Sequence, residues 1–261
     1  IVKMLTGISS VATIHGRISL DSRPAFMRRW IDRIIAVAPN RLSVLREKDV
    51  IREKCCVIYN GLALEGRGPS REKIQGLNLL YASRVDRRHG QALIIILKKV
   101  WPSLLHQFPE AKLHIAGDGN RLAEVREVAK PFTESSEQSV VFHGFVPYLD
   151  SLFKETSLTL GVGRVAIESL ASGVPVVPVN SAHWAPVVSQ ENYEGLKADN
   201  FVGRSFHEFE PEFLLAELLR VLGELAEVWS ETQNLSEKVY QDFSLATMVD
   251  RTEQVYHEVA N

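Results

Sequence analysis

The sequence predicts an α/β protein built on doubly wound parallel sheets, with helices on both faces. Short runs of β-branched residues alternate with amphipathic stretches along most of the 261 residues, as in βαβ units. A polar connector without apolar periodicity separates two series of such units. The sequence contains no short repeat and no low-complexity segment, which sets aside solenoids and disordered tails.

The first series of elements is short. We expect strands at residues 12–15, 33–38 and 55–59, with helices at 24–31 and 41–48 between them. The segment 65–73 (EGRGPSREK) is polar and contains glycine, which is typical of a connector. We therefore assign residues 1–62 to part of a first α/β domain.

The second series is longer and predicts a complete domain over residues 63–244. We expect strands at 77–82 and 112–116, helices at 91–107 and 121–130, and further elements at 140–143, 149–154, 157–161, 164–171 and 174–179. Leucines at helical spacing predict a helix at 212–225. A last amphipathic helix, within residues 245–261, is expected to pack back on the first domain.

Composition excludes several classes of protein. The net charge of -2 provides no general positive field for nucleic acid or anionic lipid. The two cysteines, Cys55 and Cys56, are adjacent, which suits neither a staple between distant segments nor a zinc site and favours a reducing cytoplasm. No apolar run approaches the roughly 20 residues of a membrane-spanning helix, so we expect a soluble protein or one peripheral to a membrane.

Ligands of doubly wound sheets bind beyond the carboxyl ends of the strands, and the first such loop is strongly cationic. Residues 83–90 (SRVDRRHG) carry three arginines and a histidine ahead of a helix. Cations at this place can clamp a diphosphate. A solvated charged loop without a ligand is an equally good interpretation of these residues alone.

Two glycine-containing loops follow later strands. Gly117-Asp118-Gly119-Asn120 permits a close approach by another backbone or by a ligand, or a plain turn with Asn120 as the N-cap. Residues 161–166 (GVGRVA) open a helix that carries Glu168 in its second turn. Open amides at a helix start can bind phosphate, and the carboxylate can hold sugar or ribose hydroxyls, although an acid near a helix start also has a purely structural role.

The same segment also fits the pattern G-x-G-x-x-A of nicotinamide oxidoreductases. That fingerprint normally follows the first strand of its fold and is paired with an acid about 20 residues later. Here it follows later strands, and Asn180 and Ser181 end the next one. We therefore keep an oxidoreductase only as a minor alternative.

The order of these motifs resembles the retaining GT-B glycosyltransferases of family 4. His15-Gly16 is similar to the His-Gly of their first domain, and residues 57–61 (VIYNG) resemble V-I-x-N-G at the entry to the second. Residues 83–90 resemble G-R-L-x-x-x-K-G. Further along, residues 117–119 (GDG), 141–146 (VFHGFV) and 168–175 (ESLASGVP) resemble G-D-G, V-x-F-x-G-x-V and E-A-M-A-S-G-x-P.

The resemblance implies a GT-B fold: a complete Rossmann-like nucleotide-sugar domain at 63–244 and the trailing part of an acceptor-side Rossmann-like domain at 1–62. It implies catalytic roles for His15, Arg84 and Glu168, with Arg84 on the diphosphate, Glu168 on the ribose and His15 facing the transferred sugar. The full predicted donor-binding set is Ser83, Arg84, His89, Gly117, Gly144, Val146, Gly163, Arg164, Val165 and Glu168. No metal and no cofactor is implied.

Three departures from the family pattern bear on activity. The earlier family glutamate, eight positions before Glu168, falls on Leu160. The lysine expected before Gly90 is His89, which is only partly cationic near neutrality. Complete members also carry a long segment ahead of the position of His15, so we expect this chain to be an N-terminally truncated piece.

The sequence therefore predicts transfer of a hexose-type sugar from a nucleoside diphosphate sugar, with retention of configuration. The expected acceptor is a glycan, a lipid-linked compound or a small molecule, and no nucleic acid is expected as a partner. The alternative is a non-catalytic nucleotide-sugar-binding module or subunit, favoured by Leu160 and His89. Residues 191–204 (ENYEGLKADNFVGR) resemble a segment of some members of the superfamily and hint at a subfamily.

Overall fold

The computed structural model describes residues 6–15, 30–40, 54–66, 76–135 and 137–260. The chain forms two compact units, one of Ile1–Glu65 with Tyr240–Asn261 and the other of Gly66–Val239. Gly16, the predicted helix at 41–48 and most of the predicted helix at 24–31 lie outside the described residues, as does most of the connector after Gly66.

The first unit contains a three-stranded parallel sheet in the order β1-β2-β3. Its strands are β1 (Val11–Ile14), β2 (Arg33–Ala36) and β3 (Cys55–Val57). The last helix of the chain packs on this sheet, because its Val255 forms one apolar cluster with Ile35 and Ile58. The C-terminal helix therefore belongs to the same unit as the first three strands.

The second unit is organised around a five-stranded parallel sheet in the order β6-β5-β4-β7-β8. The strands are β4 (Asn78–Ala82), β5 (Lys112–Ala116), β6 (Val140–Gly144), β7 (Leu158–Leu160) and β8 (Val176–Val177). The first strand in sequence is thus the central one, and the chain extends the sheet on one side before it returns to the other. This is the doubly wound order, with its switch point beside β4.

Helices and one small hairpin complete the described chain. The helices are α1 (His89–Ile95), α2 (Trp101–Gln107), α3 (Leu122–Thr133), α4 (Asp150–Phe153), α5 (Arg164–Ala171), α6 (Tyr193–Ala198), α7 (Pro211–Gly223), α8 (Leu225–Phe243) and α9 (Leu245–Ala260). The hairpin pairs β9 (His183–Trp184) with β10 (His207–Glu208) in antiparallel fashion. No helix in the described ranges combines the length and apolar character needed to cross a bilayer.

Strand β4 is buried on both faces, as expected for the central strand of a parallel sheet. Leu79 and Tyr81 pack into the larger apolar cluster of the unit, whereas Leu80 and Ala82 pack into a second cluster. The side chains therefore alternate between two cores, and only the ends of the strand are left for a ligand. Ligand-binding side chains are therefore expected in the loops at the carboxyl edge of the sheet rather than on its faces.

The helices predicted from the sequence are wrong in two places. The predicted single helix at 91–107 is interrupted by a π-helical turn, Ile96–Val100, where apolar side chains face the core on more than one side. The helix predicted at 212–225 ends at Gly223, and the unpredicted α8 follows it. Its buried stripe contains the polar Thr232, whose hydroxyl donates to the Val228 carbonyl at 2.8 Å, and this weakens the apolar pattern.

Candidate functional site

The loops that follow β4, β5 and β6 are joined by backbone hydrogen bonds at the carboxyl edge of the sheet. The amide of Ser83 donates to the carbonyl of Ala116 at 3.0 Å, and the amide of Gly117 donates to the carbonyl of Gly144 at 2.7 Å. Three predicted donor-binding residues, Ser83, Gly117 and Gly144, are therefore brought together. The Gly117 amide is used within the protein and is not open to a phosphate.

Close approach of two backbones explains the glycines of the loop after β5. A Cβ on Gly117 would overlap the carbonyl oxygen of Ser83, and a Cβ on Gly119 would overlap that of Val85. Both glycines also have φ values, 154° and 157°, that side chains rarely allow. The loop after β5 thus supports the loop after β4. The helix that follows has Arg121 as its N-cap without a side-chain bond, so the N-cap interpretation of Asn120 is wrong.

The loop after β4 is held in shape by Asp86. Its Oδ1 accepts hydrogen bonds from the amides of Arg88 (2.9 Å) and His89 (3.0 Å), and lies 3.1 Å from Nδ1 of His89. Burial alone would raise the pKa of Asp86, but these bonds and the nearby imidazole outweigh burial and hold the pKa below its usual range. Tyr81 donates its hydroxyl to the His89 carbonyl at 2.8 Å, so His89 is fixed at the start of α1.

Arg84 directly follows β4 and is one of three arginines of this loop that lie at the surface. The residue is exposed, and its guanidinium has no acceptor among the residues that the structure describes. Its neighbours Ser83 and Val85 are fixed by backbone bonds to Ala116 and Asp118. Arg84 is therefore a cation carried by a rigid backbone segment, and its guanidinium can bind an anionic ligand.

The loop after β7 lies beside the end of β4, on the other side of the switch point. A Cβ built on Gly161 would be 3.5 Å from the carbonyl oxygen of Ala82. Gly163, with φ of 61° and ψ of -127°, is the N-cap of α5, and its carbonyl accepts the first helical bond from Ile167 at 3.1 Å. Within the described chain the amides of Arg164 and Val165 have no acceptor, as expected at an open helix start. Two predicted donor elements, Ser83-Arg84 and residues 163–165, thus follow the carboxyl ends of the adjacent strands β4 and β7.

Glu168 sits inside α5 and is paired with Arg164. Its side chain is 6% exposed and accepts a hydrogen bond from Nε of Arg164 at 2.8 Å, whereas the Arg164 side chain is 64% exposed. The Glu168 carboxylate is therefore charge-paired within the protein and is oriented by the solvent-exposed guanidinium of Arg164. The arrangement leaves the guanidinium, rather than the carboxylate, as the more accessible group of the pair.

Leu160, at the position of the earlier family glutamate, is a core residue. It ends β7, is 1% exposed and packs in the larger apolar cluster. A ligand at the strand edge cannot reach this side chain. The position where the family has a glutamate is thus occupied here by a leucine that packs in the core of the unit.

The loop after β6 presents an open backbone and two exposed aromatic rings. Gly144 has a φ of 66° with no atom within 4 Å of an added Cβ, and Val146 packs on the second apolar cluster. Phe145 and Tyr148, on either side of Val146, are 76% and 72% exposed. The sequence pattern drew attention to the glycine and the valine but not to these rings.

A histidine pair lies on β5 and β6, next to this loop. Nδ1 of His114 and Nε2 of His143 are 2.9 Å apart, and the rings are stacked with centroids 5.2 Å apart. Burial, followed by the charge of His143, lowers the pKa of His114 below 6.5. Sequence reasoning could not pair these two residues, because they are 29 positions apart.

The segment after α6 lies within residues 191–204, which resemble a subfamily segment, and it is anchored by buried polar side chains that sequence reasoning did not predict. Asp199 is 4% exposed and accepts hydrogen bonds from the amides of Val202, Gly203 and Arg204 at 3.0, 3.4 and 2.6 Å. Nδ2 of the buried Asn180 donates to the Val202 carbonyl at 3.1 Å. A charged residue next to a glycine-containing turn is the one sequence signal that could have indicated this anchor.

His15 follows β1 in the first unit and is exposed. It therefore belongs to a different unit from the predicted donor residues, all of which lie in Gly66–Val239. Among the described residues no group of three or more histidine, cysteine or acidic side chains could hold a metal ion.

Solved structures support the predicted fold class. HepE of Anabaena, solved in complex with UDP, matches with a TM-score of 0.73 and 17% identity over 98% of this chain and 74% of its own. A glycosyltransferase from Rickettsia africae matches with a TM-score of 0.72 and 16% identity over 99% and 73% of the two chains. Sucrose-phosphate synthase from Thermosynechococcus elongatus gives a TM-score of 0.63 and 18% identity over 95% and 67%. These likenesses confirm the GT-B fold class.

Sequence comparison identifies the family. No curated protein sequence matches the chain. The profile described as "Glycosyl transferases group 1" matches residues 76–208, which is just over half of the chain and includes every predicted donor-binding residue. The protein therefore belongs to the group 1 family of glycosyltransferases, which are transferase enzymes.

Proposed function

We propose that the protein binds a nucleoside diphosphate sugar at the switch point of its second unit and transfers the sugar with retention of configuration. One observation carries the proposal: the exposed cation of Arg84 and the open amides at the start of α5 follow the carboxyl ends of two paired parallel strands, β4 and β7. A guanidinium and a helix start are both suited to a diphosphate. The retaining, family 4 character rests on the motif order in the sequence.

The proposed roles of these residues follow from the place where negative charge develops during sugar transfer. Cleavage of the bond between sugar and diphosphate places negative charge on the leaving phosphate. Arg84 and the amides of Arg164 and Val165 would stabilise this charge from fixed positions, so little reorganisation is needed during the reaction. Glu168 would accept hydrogen bonds from the ribose, with Arg164 holding the carboxylate in place.

A uridine nucleotide is the first donor to test. HepE of Anabaena is solved with UDP, and the O-GlcNAc transferase GtfA of pneumococcus with UDP and GlcNAc. From the motif resemblance and the composition we further propose a hexose-type sugar, an acceptor that is a glycan, a lipid-linked compound or a small molecule, no requirement for a metal, and a cytoplasmic site of action. Gly144 and Val146 would lie against the base.

His15 is proposed to act on the transferred sugar, on the resemblance of His15-Gly16 alone. His15→Ala should then lower the rate of sugar transfer without changing the affinity for UDP. A variant that transfers sugar at the wild-type rate would remove His15 from the catalytic set.

A binding module that does not turn over its ligand is the second candidate. It is favoured by Leu160, whose side chain is in the core where the family has a glutamate. The two candidates are separated by incubation with labelled UDP-sugar and detection of free sugar or product. Binding without any release of sugar would select the module.

The decisive experiment is calorimetric titration with UDP and GDP. Loss of a hydrogen bond to a charged group is worth about 1.5–3 kcal/mol, so Arg84→Ala and Glu168→Ala should each weaken binding by at least roughly tenfold. Lys98→Ala removes an equally exposed positive charge from the helical turn Ile96–Val100 and serves as the matched control.

Binding of one nucleotide that both site variants weaken, and that Lys98→Ala leaves unchanged, would support the donor site and identify the base. Equal binding by all four proteins would place the nucleotide elsewhere. Absence of binding by the wild-type protein would refute the proposal for this chain.

A further inference from the structure

The segment after α6 contains two strained residues in succession. Asn200 and Phe201 have φ values of 62° and 54° and are the two non-glycine residues with positive φ in the described part of the chain. Such values are uncommon, and for a bulky residue such as phenylalanine they are real outliers. Strained residues persist where the surroundings hold them, and they are frequent at ligand sites.

The surroundings of these residues are rigid. Phe201 is fully buried and packs edge-on against Tyr193, with ring centroids 5.7 Å apart. The three amides that follow are bound by the carboxylate of Asp199. The segment therefore holds Asn200 in one backbone conformation, although the side chain of Asn200 itself is exposed.

The side chain of Asn200 lies across the start of α5. Its Nδ2 is 3.2 Å from the position of a Cβ on Gly163, the N-cap of that helix, and the backbone carbonyl oxygen of Asn200 is 3.9 Å from the same position. The carboxamide has no hydrogen-bond partner within the described ranges. An unused donor, a glycine that leaves room for it, and the open amides of Arg164 and Val165 thus meet at one place.

We propose that Asn200 is a donor-binding residue whose Nδ2 donates a hydrogen bond to the diphosphate of the nucleotide sugar. The inference rests on the proposed function, because it adds one residue to the same site. Asparagine suits the position for two reasons: it tolerates positive φ better than other non-glycine residues, and it provides a donor without a charge. The rigid segment spares the ligand the entropic cost of ordering the backbone that carries this group.

Two substitutions separate binding from folding. Asn200→Gly removes the carboxamide and suits the positive φ, so the thermal midpoint should not fall. Asn200→Asp keeps the size and the local backbone tolerance but replaces the donor with an anion. Asn234→Asp, on the exposed face of α8, makes the same change of charge away from the site and is the matched control.

The readout is the affinity for UDP compared with that for uridine, measured by titration. We expect Asn200→Gly to weaken UDP about tenfold, Asn200→Asp to weaken it further, and neither to change the affinity for uridine by more than about twofold. Asn234→Asp should bind both like the wild type.

Wild-type affinity for UDP in both Asn200 variants would overturn the inference, as would an equal loss for UDP and uridine, which indicates a structural defect. Failure of the wild-type protein to bind UDP or GDP would instead refute the proposed function, and this inference with it. The two failures are distinguishable, because the first appears in the variants alone.

Discussion

Replacing Gly163 with alanine should destabilise the second unit by about 1–3 kcal/mol, the cost of holding a residue with a Cβ in a rarely populated backbone region. The cost arises from the φ of 61° and ψ of -127° at this N-cap. The new Cβ would also lie 3.2 Å from Nδ2 of Asn200. Because the carboxamide of Asn200 is exposed and can move by a few tenths of an ångström, this contact should add little.

Two other glycines of the same unit separate the contributions. Gly144 has positive φ but open space around an added Cβ, so Gly144→Ala should show the backbone cost alone, about 1–2 kcal/mol. Gly223, in α7, has neither positive φ nor a close neighbour. Gly223→Ala should therefore stabilise the unit by roughly 0.4–1 kcal/mol.

Urea denaturation followed by tryptophan fluorescence measures these differences. Trp101, Trp184 and Trp229 lie in the second unit and Trp30 in the first, so the signal reports mainly on the unit that carries the substitutions. In thermal unfolding, a domain of this size should lose roughly 2–4 °C of melting temperature per kcal/mol of lost stability. A Gly163→Ala protein as stable as Gly223→Ala would refute the reasoning.

Three further predictions concern buried or half-buried residues of the second unit. Asp199→Ala should cost about 2–4 kcal/mol in urea unfolding because three amides lose their acceptor, and a loss below about 1 kcal/mol would contradict this role. The lowered pKa of His114 means that the unfolded chain binds its proton more readily, so stability should fall as pH drops below 6.5; His114→Leu should flatten that slope, and an unchanged slope would exclude His114 as its source. Leu160→Glu should unfold the protein or cost more than about 3 kcal/mol, since it buries a carboxyl group, whereas normal stability with tighter UDP binding would show that the position faces the ligand.

The parallel strands were predictable, with ends within two residues of those observed, because local pattern determines them, whereas the hairpin of β9 and β10 was not predicted. Strand β4 is a short apolar run followed by polar residues, and the structure places Ser83 and Arg84 directly after it. Periodicity also located the helix that carries Glu168. These features depend on neighbours along the chain, which sequence reading can see.

The roles of individual site residues were less predictable because they depend on contacts between distant segments. The sequence left three explanations of Gly117 open: a turn, a bound ligand or the approach of another backbone. Only the contact with the Ser83 carbonyl shows that it is the backbone. The contact of Asn200 with Gly163 joins residues far apart in sequence. Likewise, nothing near Leu160 in sequence reveals that its side chain packs inside the sheet.

The central place of β4 in its sheet has a consequence for how the protein is made. The two loops that flank this strand, at residues 83–90 and 161–165, are more than 70 residues apart in the chain, yet they become neighbours when β7 pairs with β4. During synthesis the first loop leaves the ribosome long before the second. A nascent chain that ends before β7 therefore carries only half of the proposed donor site, and on that proposal the ability to bind nucleotide should appear abruptly once that strand has been made.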